Sequence, residues 1–250
     1  MQIDLIKVGG AELGEEGLPH VARYFSKPDP EVARILVFGG GPQIDAKWKK
    51  RHPKKAPKKF EGARMTDEIV MADAVVPAFF EIRHKIQRAI PEMTMVDIAN
   101  IKCVRDADVR LGLLGEVDHV NLPRKFTLIG AGFVGTDKSD PMRLYNLKAD
   151  SVVRSLAVQL GENIRSILLV TSTGGVLDRK KKLVPHLTPP EIERILEGKH
   201  TTIKADGGMV QKLKETLAML KIVPMVRMLK AEQLSLPPDR QGTLCERAKS

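Results

Sequence analysis

The sequence has few of the features that mark membrane-bound, secreted or metal-binding proteins. Its longest apolar runs, such as residues 35–38 and 167–170, are far shorter than the ~20 residues that span a bilayer. Residues 3–8 have a strand pattern rather than the charged and apolar segments of a signal peptide. The two cysteines, Cys103 and Cys245, match no metal-ligand spacing, and we expect two reduced thiols. These absences favour a cytoplasmic protein without a membrane segment.

Aromatic residues are also scarce, at 4% of the chain, whereas positive charge is in excess, with a formal net charge of +10. Much of the excess lies in eight basic residues, Lys47, Lys49, Lys50, Arg51, Lys54, Lys55, Lys58 and Lys59. This basic segment fits a solvated loop, a field that attracts ATP and a carboxylate, or a nucleic-acid surface. Only Trp48 and Phe60 offer stacking surfaces there, and no nucleic-acid motif accompanies them, so we expect no specific nucleic-acid partner.

Short strand patterns alternate with helical patterns along the 250 residues. The strand candidates are 3–8, 34–38, 126–131 and 165–171, and the helix candidates are 67–90, 150–160, 189–197 and 209–220. Gly161 should end the second helix, a Thr188–Glu191 capping box should open the third, and Pro77 should kink or divide the first. The alternation predicts an α/β fold with an open, mostly parallel central sheet sandwiched between helices. Ligands of such folds bind beyond the carboxyl ends of the strands.

Glycine-rich segments follow the first two predicted strands. Lys7 precedes Gly9 and Gly10, which suits phosphate binding, although a plain turn with a surface lysine fits this segment better when it is taken alone, and no Walker A motif occurs. Three glycines, Gly39-Gly40-Gly41, come before Pro42-Gln43-Ile44-Asp45. Because consecutive glycines are costly in chain entropy, we interpret them as backbone that must touch a ligand.

Four later segments carry further candidate side chains. Arg64, within residues 62–67, could grip a carboxylate or form a surface ion pair. Asn146 and Asp150 could cap the helix that follows or belong to a site. Residues 171–178 combine hydroxyls and glycines that suit a nucleotide, and residues 207–212 open a helix whose free N–H groups favour an anion.

Taken in this order, the segments resemble the amino acid kinase family, and within it the acetylglutamate kinases. The matching motifs are Lys-x-Gly-Gly, Gly-Gly-Gly-Pro-Gln-Ile-Asp, Gly-x-Arg-x-Thr-Asp, Asn-x-x-Ala-Asp, Gly-Val-Leu-Asp and Gly-Gly-Met-x-x-Lys, and they cover nearly the whole chain. The resemblance implies ATP- and Mg²⁺-dependent phosphorylation of the side-chain carboxylate of N-acetyl-L-glutamate, in arginine biosynthesis. It implies one domain, residues 1–250, with an acidic-substrate lobe over about 1–163 and a nucleotide lobe over about 164–250. Because no extension precedes the first strand, we expect a homodimer without arginine feedback.

The resemblance also assigns roles to residues. The catalytic residues would be Lys7, Lys212 and Asp150, and the substrate-binding residues Gly40, Gly41, Arg64 and Asn146. The nucleotide-binding residues would be Gly9, Gly10, Ser172, Thr173, Gly174, Gly175, Val176, Leu177, Gly207, Gly208 and Met209. No protein ligand for magnesium is assigned, because the metal should arrive with ATP and be held mainly by phosphate oxygens.

The chain departs from the family pattern at several positions. Phe38 stands where histidine is usual, Lys148 replaces an asparagine, Ser172 replaces an aspartate, and residues 79–90 lack the expected Gly-x-x-Asn-Lys pattern. The added cation at Lys148 leaves open a kinase for another small acid, such as an aminoadipate derivative. The changes at Phe38 and Ser172 leave open a catalytically weak, nucleotide-binding sensor.

Overall fold

A computed structural model describes residues 2–27, 29–60, 63–205 and 207–247. The strands are β1 Gln2–Val8, β2 Val32–Phe38, β3 Lys59–Phe60, β4 Ala63–Arg64, β5 Thr94–Met95, β6 Ile101–Arg105, β7 Leu114–Val120, β8 Leu128–Ala131, β9 Val134–Asp137, β10 Leu144–Leu147, β11 Ile164–Val170, β12 His186–Leu187, β13 Met225–Leu229 and β14 Thr243–Glu246. The α-helices are α1 Leu18–Phe25, α2 Gly41–Arg51, α3 Glu68–Val70, α4 Val76–Ala89, α5 Ala149–Leu160, α6 Pro189–Leu196 and α7 Gly207–Leu220. Short 3₁₀ turns lie at Gly10–Leu13, Ile98–Asn100, Val109–Leu111, Gly161–Asn163, Ala231–Ser235 and Pro238–Arg240.

The main sheet has eight strands in the order β12-β14-β13-β11-β1-β2-β8-β5. Every neighbouring pair in it is parallel except β13 with β14. The predicted α/β fold with a mostly parallel central sheet is therefore confirmed. A second, smaller sheet, β10-β7-β6-β9, closes on itself, and β3 pairs with β4 in a hairpin.

Helices cover both faces of the main sheet. Successive side chains of a strand point to opposite faces, so Leu5 and Ile6 of β1 belong to different cores. Leu5 packs with buried residues of α5, α6 and α7, whereas Ile6 packs with buried residues of α1 and α4. Since β1 and β2 are buried on both faces, their carboxyl ends are fixed firmly relative to each other.

The predicted helix boundaries have physical causes in the structure. Helix α5 ends at Gly161, whose φ of +52° is a conformation that favours glycine. Helix α6 has the expected capping box, in which the Thr188 N–H donates to Oε2 of Glu191 at 2.8 Å. The first predicted helix is not divided at Pro77: it runs unbroken over 68–89, with a π-helical turn, Met71–Val75, directly before α4 and its Pro77.

Among the described residues, no helix is long and apolar enough to cross a membrane. Cys103 and Cys245 are both buried and free. Burial raises the thiol pKa of each to about 12, which keeps both in the protonated, unreactive form.

Candidate active site

A cavity of about 740 Å³ opens at the carboxyl ends of β1 and β2, where the sheet topology predicts ligands. Its lining includes all seven residues predicted to act in catalysis or substrate binding, namely Lys7, Gly40, Gly41, Arg64, Asn146, Asp150 and Lys212. Gly9 and Gly10 line it as well. Residues from both ends of the chain thus meet in one place, although their roles stay predictions.

Lys7 and Asp150 form an ion pair at the base of this cavity. Lys7 lies at the end of β1 with only 10% of its side chain exposed, and Asp150 lies in the first turn of α5. Lys7 Nζ is 3.2 Å from Asp150 Oδ1. A buried ammonium needs such a partner, because an unpaired charge out of water is costly.

Lys212 brings a second ammonium group to the same cavity from helix α7. Its pKa is lowered, first because the side chain is partly buried and then because Lys7 repels its charge, while Asp150 acts in the opposite direction. Two lysines and one aspartate therefore share this part of the cavity, with positive charge in excess. Such an arrangement can stabilise negative charge that develops during a reaction.

The glycine turns after β1 and β2 are tied together. Gly39 N–H donates to Val8 O at 3.0 Å, and Gln43 Nε2 donates to Gly10 O at 2.7 Å. At Gly40 a Cβ would lie 2.2 Å from Cζ of Phe133, so only glycine fits beside that ring. At Gly41 a Cβ would meet nothing within 4 Å.

Arg64 reaches the cavity from β4, with 11% of its side chain exposed. Its Nη2 donates to Asp45 Oδ1 and, at 3.3 Å, to Gly41 O. Its Nε is buried and has no hydrogen-bond partner among the described residues. A guanidinium has five N–H donors, and these hydrogen bonds use only those of Nη2. Gly62, which the sequence motif places before it, lies outside the described residues.

Asn146 is held close to Arg64's strand by one hydrogen bond. It is buried, and its Nδ2 donates to Thr66 Oγ1 at 3.1 Å. Thr66 follows β4 by two residues, so this bond fixes the end of β10 against the segment that carries Arg64. Asn146 is thus oriented by the fold rather than free in the cavity.

Apart from Gly9 and Gly10, the predicted nucleotide residues fall into two groups. Residues 172–177 follow β11, and none of them lines the cavity described above. Their turn is shaped by Gly174 and Gly175, with φ of +74° and +151°, and the Val176 N–H donates to Thr243 Oγ1 at 2.9 Å. Gly207, Gly208 and Met209 open α7, directly before the cavity-lining residues 210–212. Nucleotide binding at both groups stays a prediction.

The family departures have different surroundings. Phe38 is fully buried and packs its ring against Phe79 and Phe133, with centroids 5.8 and 6.1 Å away, outside the cavity lining. Ser172 is exposed in the turn after β11. Lys148, in contrast, lines the cavity, and its Nζ is 3.9 Å from Asp106 Oδ2. Only this departure changes the charge of the cavity wall.

Several residues that line the cavity or bond to its lining had no predicted role. Asp45 and Gln43 belong to the triple-glycine motif, so two polar side chains beside the glycines could have indicated that they bond to residues of the site. Phe133 and Leu114 add an apolar wall, and no local pattern singles them out. Asp106 faces Lys148 only because the small sheet brings the two together.

The basic segment, residues 47–59, is partly anchored to the neighbouring helices. Lys47 pairs with Glu81 at 2.5 Å, and hydrogen bonds from Lys47 and Lys85 lower the Glu81 pKa to about 2. His52 stacks on Trp48, with ring centroids 4.0 Å apart, and contacts Asp73 at 2.8 Å. Six lysines remain exposed along it, Lys49, Lys50, Lys54, Lys55, Lys58 and Lys59. The segment thus has an ordered base and a strongly positive surface.

Among the described residues, no group of three or more His, Cys, Asp or Glu side chains is placed to hold a metal ion. Asp150 is the one carboxylate in the described lining of the cavity. The residues present therefore do not themselves make a magnesium site.

A family model described as the amino acid kinase family matches residues 3–226. The chain belongs to the amino acid kinase family. Within it, the chain is 28% identical to acetylglutamate kinase of Acidiphilium cryptum (strain JF-5), over 87% of this chain and 78% of that protein. The prediction that the chain is a divergent member of this family is confirmed, and the chain is a kinase of acetylglutamate kinase-like type. Membership of a kinase family implies the use of ATP.

Two solved structures extend the comparison to the fold. The smu.665 protein from Streptococcus mutans UA159 has 20% sequence identity and a TM-score of 0.76, covering 98% of each chain. N-acetylglutamate synthase from Neisseria gonorrhoeae, complexed with coenzyme A and N-acetyl-glutamate, has 15% identity and a TM-score of 0.81, covering all of this chain and 60% of that one. At these identities the likeness establishes the fold alone.

Proposed function

We propose that this amino acid kinase transfers the γ-phosphoryl group of ATP to the side-chain carboxylate of N-acetyl-L-glutamate. The products would be an acyl phosphate and ADP, and the reaction would belong to arginine biosynthesis. The observation that carries the proposal is the meeting of Lys7, Asp150, Lys212 and Arg64 around one cavity. The acetylglutamate kinase relatives support the choice of acceptor.

The two lysines would supply most of the catalysis by electrostatics. Phosphoryl transfer needs positioning and charge stabilisation more than covalent help. Lys7 and Lys212 would lie beside the oxygens of the transferring group, and Asp150 would hold Lys7 in place through the 3.2 Å ion pair. N–H groups of Gly40 and Gly41 would add neutral donors. Magnesium would enter with the phosphates of ATP, whose oxygens would be its main ligands.

The acceptor would need no general base. A glutamate side-chain carboxyl has an ordinary pKa near 4.3, so it is already an anion at neutral pH and attacks as it stands. Arg64, which lines the cavity, would bind the α-carboxylate of the acceptor, and Asn146 would lie beside it. The cavity would thus hold one carboxylate by Arg64 and leave the other for reaction.

We further propose that residues 1–163 form an acceptor lobe and residues 164–250 a nucleotide lobe of one domain. Most of the cavity wall comes from the first range, and residues 210–212 come from the second. The turn 172–177 and the start of α7 would hold the nucleotide. A homodimer is proposed as well, and light scattering of the purified protein would measure its mass directly.

Lys148 favours a second candidate, a kinase for another small acid such as an aminoadipate derivative. Its ammonium group lines the cavity with 42% of the side chain exposed, and the 3.9 Å contact with Asp106 leaves it available to a substrate anion. The reading as a catalytically weak sensor has less support. Phe38, one of the two substitutions that suggested a sensor, lies in an aromatic core rather than in the cavity.

A substrate panel tests these proposals. ADP release would be measured with Mg-ATP and N-acetylglutamate, glutamate, aspartate or N-acetyl-aminoadipate, using the wild type, Lys148→Asn and Lys212→Ala. We expect turnover with N-acetylglutamate that collapses in Lys212→Ala. If the wild type prefers N-acetyl-aminoadipate and Lys148→Asn reverses this preference, the second candidate is favoured. ATP binding without ADP release from any acid would favour the sensor.

A further inference from the structure

We propose that Arg154 is a positioning residue that holds helix α7, and with it Lys212, against helix α5. The inference rests on the proposed function, because it assigns Arg154 a role in placing Lys212 for phosphoryl transfer. Arg154 does not line the cavity and would touch no substrate. Its effect would pass through the spacing of two helices.

Arg154 bridges two carboxylates on different elements. Its Nη2 lies 2.9 Å from Glu116 Oε2 on β7, and its Nη1 lies 3.6 Å from Glu215 Oε2 on α7. The planar guanidinium can face two acceptors at once in a fixed geometry. One side chain of α5 thus connects the small sheet to the helix that carries Lys212.

Helical spacing places this bridge beside the catalytic groups. Arg154 lies four residues after Asp150, and Glu215 lies three residues after Lys212. Residues separated by three or four positions share one face of a helix. The Arg154–Glu215 contact therefore lies about one helical turn after Asp150 on α5 and after Lys212 on α7. It is on the same helix faces as those two residues.

The Glu116 end of the bridge is anchored by further hydrogen bonds. Ser151 Oγ donates to Glu116 Oε2 at 2.9 Å, and the Val117 N–H donates to Ser151 Oγ at 3.4 Å. Ser151 directly follows Asp150 in the first turn of α5. Glu116 is thus tied to α5 by both Ser151 and Arg154.

The Glu215 end depends on Arg154. Glu215 has 12% of its side chain exposed, and its Oε2 is buried without a hydrogen-bond partner among the described residues. Its other oxygen accepts from Gln211 Nε2 at 3.0 Å, and Gln211 lines the cavity next to Lys212. Loss of Arg154 would leave this carboxylate without its facing cation, so α7 would shift to hydrate it. A displacement of ~1 Å at a reacting group can lower a rate about 100-fold.

Gln159 offers a matched control on the same helix. Its Nε2 donates to Val120 O at 2.8 Å and its Oε1 accepts from the Val120 N–H at 3.2 Å, which ties α5 to β7 one turn later. This tie involves β7 and not α7. Gln159→Met therefore removes a comparable α5–β7 link and leaves the Arg154–Glu215 contact in place.

The experiment compares wild type, Arg154→Met, Arg154→Lys, Glu215→Gln, the Arg154→Met/Glu215→Gln double variant and Gln159→Met. We expect Arg154→Met to lower kcat about tenfold or more with acceptor KM changed less than twofold, and Arg154→Lys to recover part of it. The double variant should be no slower than Arg154→Met, because the two residues act through one contact. Gln159→Met should lower the melting temperature and leave kcat within about twofold.

A second measurement does not need turnover. Pulse acetylation of lysines at several pH values, followed by mass spectrometry, reports the protonation midpoint of Lys212. In Arg154→Met this midpoint should rise toward the ordinary 10.5, because a displaced Lys212 is better hydrated. An unchanged midpoint together with equal kcat losses in Arg154→Met and Gln159→Met would overturn the positioning role. A shifted midpoint in a protein that phosphorylates no acid would keep that role and reject the proposed function.

Discussion

Alanine at position 40 would test how tightly the cavity backbone is packed. Its Cβ would lie 2.2 Å from Cζ and 2.4 Å from Cε1 of Phe133, far inside the 3.5–4.0 Å typical of carbon contacts. The ring cannot easily yield, since Phe133 is 1% exposed and packs on Phe38 and Phe79. The backbone at Gly40 must therefore move, and the cavity wall with it.

The size of the effect follows from overpacking. Extra atoms forced into a packed core cost about 1–3 kcal/mol. In a chain of this length, ~1 kcal/mol lowers the melting temperature by about 2–4 °C, so we expect Gly40→Ala to lower it by roughly 2–12 °C. If the N–H groups at positions 40 and 41 bind oxygens of the reacting groups, kcat/KM should fall by about 10- to 100-fold.

Gly41→Ala is the matched control for this change. Apart from its chain neighbours and the backbone of its own helix, no atom lies within 4 Å of a Cβ at Gly41, and its φ is outside the left-handed region. Alanine at such a site stabilises by about 0.4–1 kcal/mol, so its melting temperature should be unchanged or slightly raised. Differential scanning fluorimetry would measure the melting temperatures of both variants, and ADP-release kinetics would measure their kcat/KM. Equal melting temperatures for the two would refute the packing argument.

Three other predictions concern charge and thiols. Because the Lys212 pKa is lowered and the protonated form is the one needed, kcat should fall at alkaline pH with a midpoint below 10.5. In Lys212→Arg the remaining activity should no longer fall at alkaline pH, because arginine stays protonated there. An unchanged alkaline fall in kcat would show that another group causes it. The six exposed lysines of the basic segment should steer anionic substrates, so glutamine at all six should lower kcat/KM about tenfold at low salt with kcat unchanged, and an unaltered salt dependence would contradict this. Cys103 and Cys245, with thiol pKa values of about 12, should resist thiol reagents at pH 8 and react fully only in denaturant, as a colorimetric thiol assay would record.

The main architecture could be predicted because its signals are local. Strands β1, β2 and β11 are apolar runs buried on both faces, and helices α5 and α6 have apolar periodicity with clear caps. The glycines after β1 and β2 also indicated where ligands would bind, since the ends of parallel strands meet at one edge. The predicted strand at 126–131 begins two residues later, at Leu128, because only residues 128–131 pair with a neighbour.

The small closed sheet was not predictable in this way. Strands β6 and β7 mix buried and exposed residues, and β9 and β10 are only four residues long. Strand β6 also pairs with β9 across more than thirty residues of chain. Such pairing is decided by tertiary contacts rather than by a local pattern. The same limit applies to Lys148 with Asp106 and to Arg154 with Glu215, which are distant in sequence and meet only in the fold.

Phe38 shows how a family motif can mislead about the cause of a change. The missing histidine beside the glycines suggested weakened chemistry, whereas the structure places Phe38 in an aromatic cluster with Phe79 and Phe133, of which only Phe133 lines the cavity. The motif could not reveal this, because Phe79 and Phe133 lie on other elements. We interpret the substitution as one of packing.

The most direct test of the central claim is the formation of an acyl phosphate. Purified protein would be incubated with Mg-ATP, N-acetyl-L-glutamate and hydroxylamine, which converts an acyl phosphate into a stable hydroxamate. The account predicts hydroxamate in equal amount to the ADP released, and loss of both in Lys212→Ala. ADP release without hydroxamate would mean that the phosphoryl group goes to something other than a carboxylate, and would contradict the proposed reaction.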